Sequence, residues 1–92
     1  MVARFAAKPD RVEDVKRILS KLVDPTRAED GCIAYELLQN KREPTDFTFV
    51  EEWTGEAALM EHLATEHIKD CKAQIFEHLE RESDIRVYEV VR

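Results

Sequence analysis

Two histidines, His62 and His67, stand five residues apart and follow the chain's only tryptophan, Trp53. Imidazole titrates closest to neutral pH of the side chains, so either ring could take or return a proton under ordinary conditions. An aromatic wall beside such a ring is what a pocket for an oxidisable aromatic molecule requires. Just upstream, the alternating run Phe47-Thr48-Phe49-Val50-Glu51-Glu52-Trp53 puts Glu51 on one strand face with Phe47, Phe49 and Trp53. A carboxylate flanked by aromatics can have a raised pKa and act as a base. It can equally receive backbone hydrogen bonds or pair with Lys or Arg. Trp53 alone also suits a core, and Asn40, closing the preceding strand, either forms a turn or orients a ligand.

Position along the helices separates the two imidazoles. His62 falls at the end of one helical segment and His67 in the first turn of the next. A helix C-terminus favours the charged ring and an N-terminus the neutral one, so His62 is expected to be the more basic. Near a helix end it should contribute at most about 1–2 kcal/mol to stability. Two surface or capping histidines are the alternative reading. On an unbroken helix five residues turn a side chain by roughly 140°, which is poor ligand spacing. A bend at Thr65 could bring the rings together, but no third ligand has suitable spacing, and no metal is expected.

Composition narrows the partners. The 92 residues carry a net charge of −6 with no cluster of Lys and Arg among aromatics, which argues against nucleic acid and anionic membranes. No apolar run approaches the length of a membrane span, and Met1 to Lys8 lacks the apolar core of a signal peptide, so a cytoplasmic protein is expected. Cys32 and Cys71 lack CxxC or Cys/His spacing and are expected as two free, largely packed thiols. With two glycines and no Ser-His-Asp order, neither a phosphate-cradling loop nor a nucleotide fingerprint is present.

The elements that must position these groups read as one domain over residues 1–92. Val2 to Ala7 is a strand ending at Lys8-Pro9. Asp10 with Glu13 has the form of a helix-starting cap, and Val12, Val15, Leu19, Leu22 and Val23 recur at helical spacing until Pro25. After the Asp30-Gly31 turn, Cys32–Asn40 and Phe47–Trp53 form a hairpin closed by Lys41–Asp46. Thr54 caps a helix through Leu63. Thr65 caps another that keeps Ile68, Cys71, Ile75, Phe76 and Leu79 on one face, and Ile85 to Val91 is the last strand. The order β-α-β-β-α-β predicts an α+β, ferredoxin-like fold with helices on one face of a four-stranded antiparallel sheet. Apolar residues occupy both strand faces: Ile33, Tyr35 and Leu37 alternate with Cys32, Ala34 and Leu38, and Val87 with Tyr88. The second face therefore needs a cover, most simply the same sheet of another subunit in a homodimer.

The run Pro25-Thr26-Arg27-Ala28-Glu29-x-Gly31-Cys32-x-x-Tyr35-x-Leu37 continues with Asn40, Phe49-x-Glu51-x-Trp53, Ala58-Leu59 and His62-x-x-Thr65-x-His67. Together these resemble the antibiotic-biosynthesis-monooxygenase family, particularly its small quinol-oxidising members. The resemblance implies a dimeric α/β barrel that oxygenates or oxidises quinol, phenolic or anthrone-like molecules with molecular oxygen, without metal or flavin. It implies Asn40, Trp53 and His62 as catalytic residues, with Tyr35, Phe49, Glu51 and His67 lining the substrate. Haem-degrading relatives place Asn, Trp and His where this chain has Ala3, His62 and Lys72, which argues against haem. The pattern His62-x-x-Thr65-x-His67-x-Lys69-x-Cys71 is also similar to quorum-signal phosphosugar isomerases of this fold. A dimeric binding domain without turnover is a third reading.

Overall fold

The computed structural model describes residues 1–92. Its elements are β1 (Val2–Ala6), α1 (Val12–Ser20), α2 (Val23–Arg27), β2 (Cys32–Gln39), β3 (Asp46–Trp53), α3 (Glu56–Leu63), α4 (Glu66–Ile75), a 3₁₀ turn over Phe76–His78, and β4 (Asp84–Arg86). The strands form one antiparallel sheet in the order β2-β3-β1-β4. This is the predicted α+β, ferredoxin-like arrangement, with the second helical segment broken at Ala64–Thr65.

Local chemistry explains where the elements depart from expectation. The residue before α1 is Arg11 rather than Asp10, and no side chain caps that helix. Pro25 does not end the helical region; it lies in the first turn of α2, where its missing N–H costs nothing because first-turn amides have no intrahelical partner. Gly55, not Thr54, precedes α3. The last strand is only three residues long, and Val87, Tyr88, Val90 and Val91 continue beyond it as exposed, irregular chain. Phe76 is likewise exposed, off the buried face that Ile68, Cys71 and Ile75 share.

The core lies between the sheet and the helices. Val15, Ile18 and Leu19 of α1 and Ile68, Cys71 and Ile75 of α4 meet Ala3, Tyr35, Phe47 and Phe49 from the strands. Phe47 and Phe49 are fully buried, and each should contribute about 1.5–3 kcal/mol through transfer from water. The stacked Tyr35 and Phe49 rings, 4.7 Å between centroids, continue this layer toward Glu51 and Trp53.

A β-bulge modifies the alternation in β2. Cys32 pairs with Trp53 and Ala34 with Glu52, so Ile33 is an extra residue with no partner on β3. Cys32 consequently joins Tyr35 and Leu37 on the helix-covered face, and Ile33 is exposed, contrary to the simple alternation. On the opposite face Leu38 and Val50 remain 46% and 44% exposed beside Val2 and Ala34.

Candidate functional site

Three side chains from separate segments converge at one end of the sheet. His62 closes α3, His67 opens α4, and Glu29 lies in the turn that leads into β2. One carboxylate oxygen of Glu29 is 2.8 Å from His62 Nδ1 and 2.8 Å from His67 Nε2. A carboxylate accepts hydrogen bonds, so each facing ring nitrogen carries hydrogen. A neutral His62 therefore has its lone pair on Nε2, and a Glu29-oriented imidazole of this kind can act as a base.

The backbone builds this convergence locally. The helix break makes a corner at which the hydroxyl of Thr65 donates to the carbonyl of His62 at 2.7 Å, fastening the end of α3 to the start of α4. Thr65 occupies the cap position of α4, but its side chain makes this bond rather than the expected cap. Gly31 holds the Glu29 turn against α3. Its φ of 86° lies in the left-handed region, and a Cβ there would come within 2.6 Å of Ala58 Cβ and 2.7 Å of Thr54 Oγ1. Only glycine satisfies both constraints.

His62 is 1% exposed, Glu29 14% and His67 23%, so the cluster runs from the interior to the surface. The His62 ring lies 4.6 Å from Trp53 and 5.6 Å from Tyr35, centroid to centroid. Trp53 Nε1 donates to Glu51 Oε1 at 3.0 Å. Burial raises the pKa of Glu51, with the Trp53 hydrogen bond acting in the opposite direction. Burial, with the charge of Glu51 added, also pushes the Tyr35 phenol upward and keeps it neutral. Tyr35, Phe49, Glu51, His62, Leu63 and Ile68 line a cavity of about 80 Å³ between sheet and helices. A larger hollow of about 520 Å³ is lined by Val2, Ala34, Val50 and Tyr88 from the other sheet face together with Glu51 and Trp53, and contains no imidazole.

Of the residues expected at the site, His62, His67, Trp53, Tyr35, Glu51 and Phe49 are together. Asn40 is not. It terminates the hairpin at the opposite end, where Oδ1 accepts from the amides of Arg42 and Glu43 and Nδ2 donates to Asp46. Six residues of β3 separate that end from Trp53, roughly 20 Å of strand. Asn40 is a turn residue, the other reading its position allowed.

Glu29 is the site residue that spacing along the helices did not reveal. It is 33 and 38 residues from the two histidines, and only tertiary folding brings it to them. It also supplies a third potential ligand that spacing along the chain does not show: one atom each from Glu29, His62 and His67 lie within 4.8 Å of one another. The Ala28-Glu29-x-Gly31-Cys32 run was the available signal, because the glycine in it exists to place that turn.

The profile of the family described as "Antibiotic biosynthesis monooxygenase" matches residues 1–74. The chain belongs to the antibiotic biosynthesis monooxygenase family. A relative named "Putative monooxygenase Rv0793", from Mycobacterium tuberculosis, is 33% identical over 81 residues, covering 88% of this chain and 79% of that protein. The sll1783 protein of Synechocystis is 29% identical over 90 residues, 98% of this chain, which spans 61% of the length of that protein. Among solved structures, one described as an antibiotic biosynthesis monooxygenase superposes with a TM-score of 0.92 at 33% identity, covering 99% of this chain and 96% of the other. The Rv0793 structure superposes with a TM-score of 0.87 at 29% identity, covering 99% and 95%. The family match takes in β1 through nearly all of α4, and with them every member of the cluster.

Proposed function

We propose that this member of the monooxygenase family oxidises or oxygenates a quinol, phenolic or anthrone-like molecule with molecular oxygen, using no metal or flavin in the chemical step. The observation that carries this reading is a buried imidazole held by Glu29 through Nδ1 and walled by Trp53 and Tyr35. Its Nε2 accepts the phenol proton, and the resulting phenolate transfers one electron to oxygen, giving an aryloxyl radical and superoxide. Their combination at a ring carbon forms a peroxide, which takes the proton back from the imidazolium. Loss of water from a hydroperoxide at a methylene carbon leaves a carbonyl: the CH₂ substrate plus O₂ gives the C=O product plus H₂O. A quinol that transfers a second electron and proton instead gives quinone and H₂O₂.

The residues serve this sequence in distinct ways. Glu29 orients His62 through Nδ1, while the apolar walls exclude water from the anion and radical. The cavity of about 80 Å³ is smaller than the roughly 150 Å³ of an engineered cavity that admits benzene, so substrate entry requires side chains around it to move. The exposed Leu38 and Val50, with the apolar tail beyond β4, support a homodimer joined through the outer sheet face as a dimeric α/β barrel. No helix is long and apolar enough to cross a membrane, and the two unpaired thiols fit a reducing cytoplasm. Lys69, the lysine of the phosphosugar pattern, is exposed and pairs at 3.9 Å with Glu66, whereas the lysine that borders the cavity is Lys72, outside that pattern.

The direct test is oxygen uptake with a panel of quinols and hydroxylated aromatics, with products identified by mass spectrometry in ¹⁸O₂. Catalysed uptake with one or more panel members is the expected result. Uptake no faster than buffer across the panel, together with turnover of a phosphorylated sugar, would transfer the site to isomerisation.

A further inference from the structure

We propose that Glu29, His62 and His67 also form a binding site for one divalent transition-metal cation of the Zn²⁺ type, and that its occupation switches off the His62 base. The donors are two imidazole nitrogens and one carboxylate oxygen, all within 4.8 Å of one another. Two nitrogens and one oxygen suit zinc and its neighbours rather than magnesium or calcium, which take oxygen donors. Three protein ligands leave a fourth tetrahedral position for water.

The present hydrogen bonds are close to the geometry a cation needs. Bonds of about 2.0–2.2 Å in a tetrahedron set neighbouring donor atoms roughly 3.3–3.5 Å apart. The two nitrogen–oxygen distances are 2.8 Å and the two imidazole nitrogens lie within 4.8 Å of one another, so the carboxylate has to withdraw by about half an ångström and the imidazoles have to close by up to about 1.5 Å on the ion. The cation takes the place of the two ring hydrogens that now bind Glu29. The route in is open at His67, the most exposed member.

Competition follows from the nitrogen used. His62 reaches the cluster through Nδ1, so with the metal on that atom the neutral ring carries its hydrogen on Nε2. The nitrogen that would accept the phenol proton is then already protonated. Binding stands on the cluster alone, whereas the loss of turnover rests on the proposed oxidation.

The test begins with metal-stripped protein titrated with Zn²⁺ against a chromophoric chelator, with Co²⁺ as a spectroscopic substitute. We expect one ion per chain, a tetrahedral Co²⁺ spectrum, and a rise in melting temperature that grows with free Zn²⁺. His67→Ala and Glu29→Gln should each weaken binding by about tenfold or more, since even indirect partners of metal ligands carry that much affinity. His78→Ala, at the histidine outside the cluster, should leave binding unchanged. Should the cluster variants fail to fold, imidazole NMR of the wild-type protein reads the same site: Zn²⁺ should shift His62 and His67 but not His78. Oxygen uptake should fall in proportion to occupancy and return with chelator. No stoichiometric uptake, or equal affinity in the folded cluster variants, or unchanged His62 and His67 signals would overturn the site. Full turnover at saturating Zn²⁺ would overturn the switch. Binding without oxygen uptake by any form would instead refute the oxidase reading and leave the metal site standing.

Discussion

Replacing His62 separates its two roles, because it is both buried and the proposed base. His62→Ala removes a ring that is 1% exposed, 4.6 Å from Trp53, with a 2.8 Å hydrogen bond to Glu29. A hydrogen bond to a charged group contributes about 1.5–3 kcal/mol, and truncating a large buried aromatic to alanine costs about 3–5 kcal/mol. Imidazole is smaller than phenyl, and Glu29 keeps His67 as a partner, so the expected loss is about 2–4 kcal/mol. That exceeds the contribution inferred from a helix-end position alone. His62→Gln is the informative companion: its amide can still donate to Glu29 and fills much of the space, so most of this stability should return. A glutamine cannot take a proton at neutral pH, and turnover should stay roughly 10²–10⁴-fold low in both variants. Urea unfolding gives the stability, and an oxygen electrode with the best quinol gives the rate. If His62→Gln keeps wild-type turnover, His62 is not the base. If His62→Ala loses less than about 1 kcal/mol, the ring is not bound to Glu29 in the interior as described.

His67→Ala should reduce turnover less than His62→Ala, because the Glu29–His62 hydrogen bond survives it; equal losses would show that the two rings act as one unit. Glu51 has a raised pKa in the folded protein, so it holds its proton more tightly there than in the unfolded chain. Its stabilising contribution is complete below the unfolded carboxylate value and is lost as pH rises through the folded value. Glu51→Gln should therefore gain on the wild type in urea midpoints as pH rises above the ordinary carboxylate value of about 4.3; a constant difference would contradict the burial cause. Light scattering should give a dimer at micromolar concentration, burying on the order of 2,000 Å² or more if obligate, and Val50→Lys on the outer face should dissociate it. Burial pushes the Cys71 thiol up to about 11, so a thiol reagent near neutral pH should reach the less buried Cys32 first and Cys71 only on unfolding.

Periodicity revealed the elements whose information is local. The order of strands and helices, the break at Thr65 and the shared face of Phe47, Phe49, Glu51 and Trp53 all follow from spacing within a few residues. Misread positions each depended on something spacing does not carry. Pro25 is harmless in a first turn, which required knowing that a second helix begins at Val23. Ile85 to Val91 has strand-like residues, but only its first two, with Asp84, find a partner strand in this chain, on β1. Asn40 had a turn role and a ligand role open to it, and the hydrogen bonds it makes are those of the turn, at the far end of β3 from Trp53. Glu29 required the whole fold, since neither histidine lies within 30 residues of it.

The extra residue at Ile33 acts as a phase correction between two parts of the chain. Downstream of it, Tyr35 and Leu37 face inward with odd numbers; immediately upstream, Cys32 faces inward with an even one. The turn carrying Glu29 enters the sheet through that correction. Deleting one residue there would reverse the facing of whatever precedes it, as any one-residue slip in a strand does. Glu29 and Cys32 would then be carried away from Trp53 while composition and hydrophobicity stayed almost unchanged. For anyone transferring site residues between this chain and its relatives, a gap between Gly31 and Tyr35 therefore matters more than several substitutions. A relative lacking the extra residue can keep every amino acid of the cluster and still fail to assemble it.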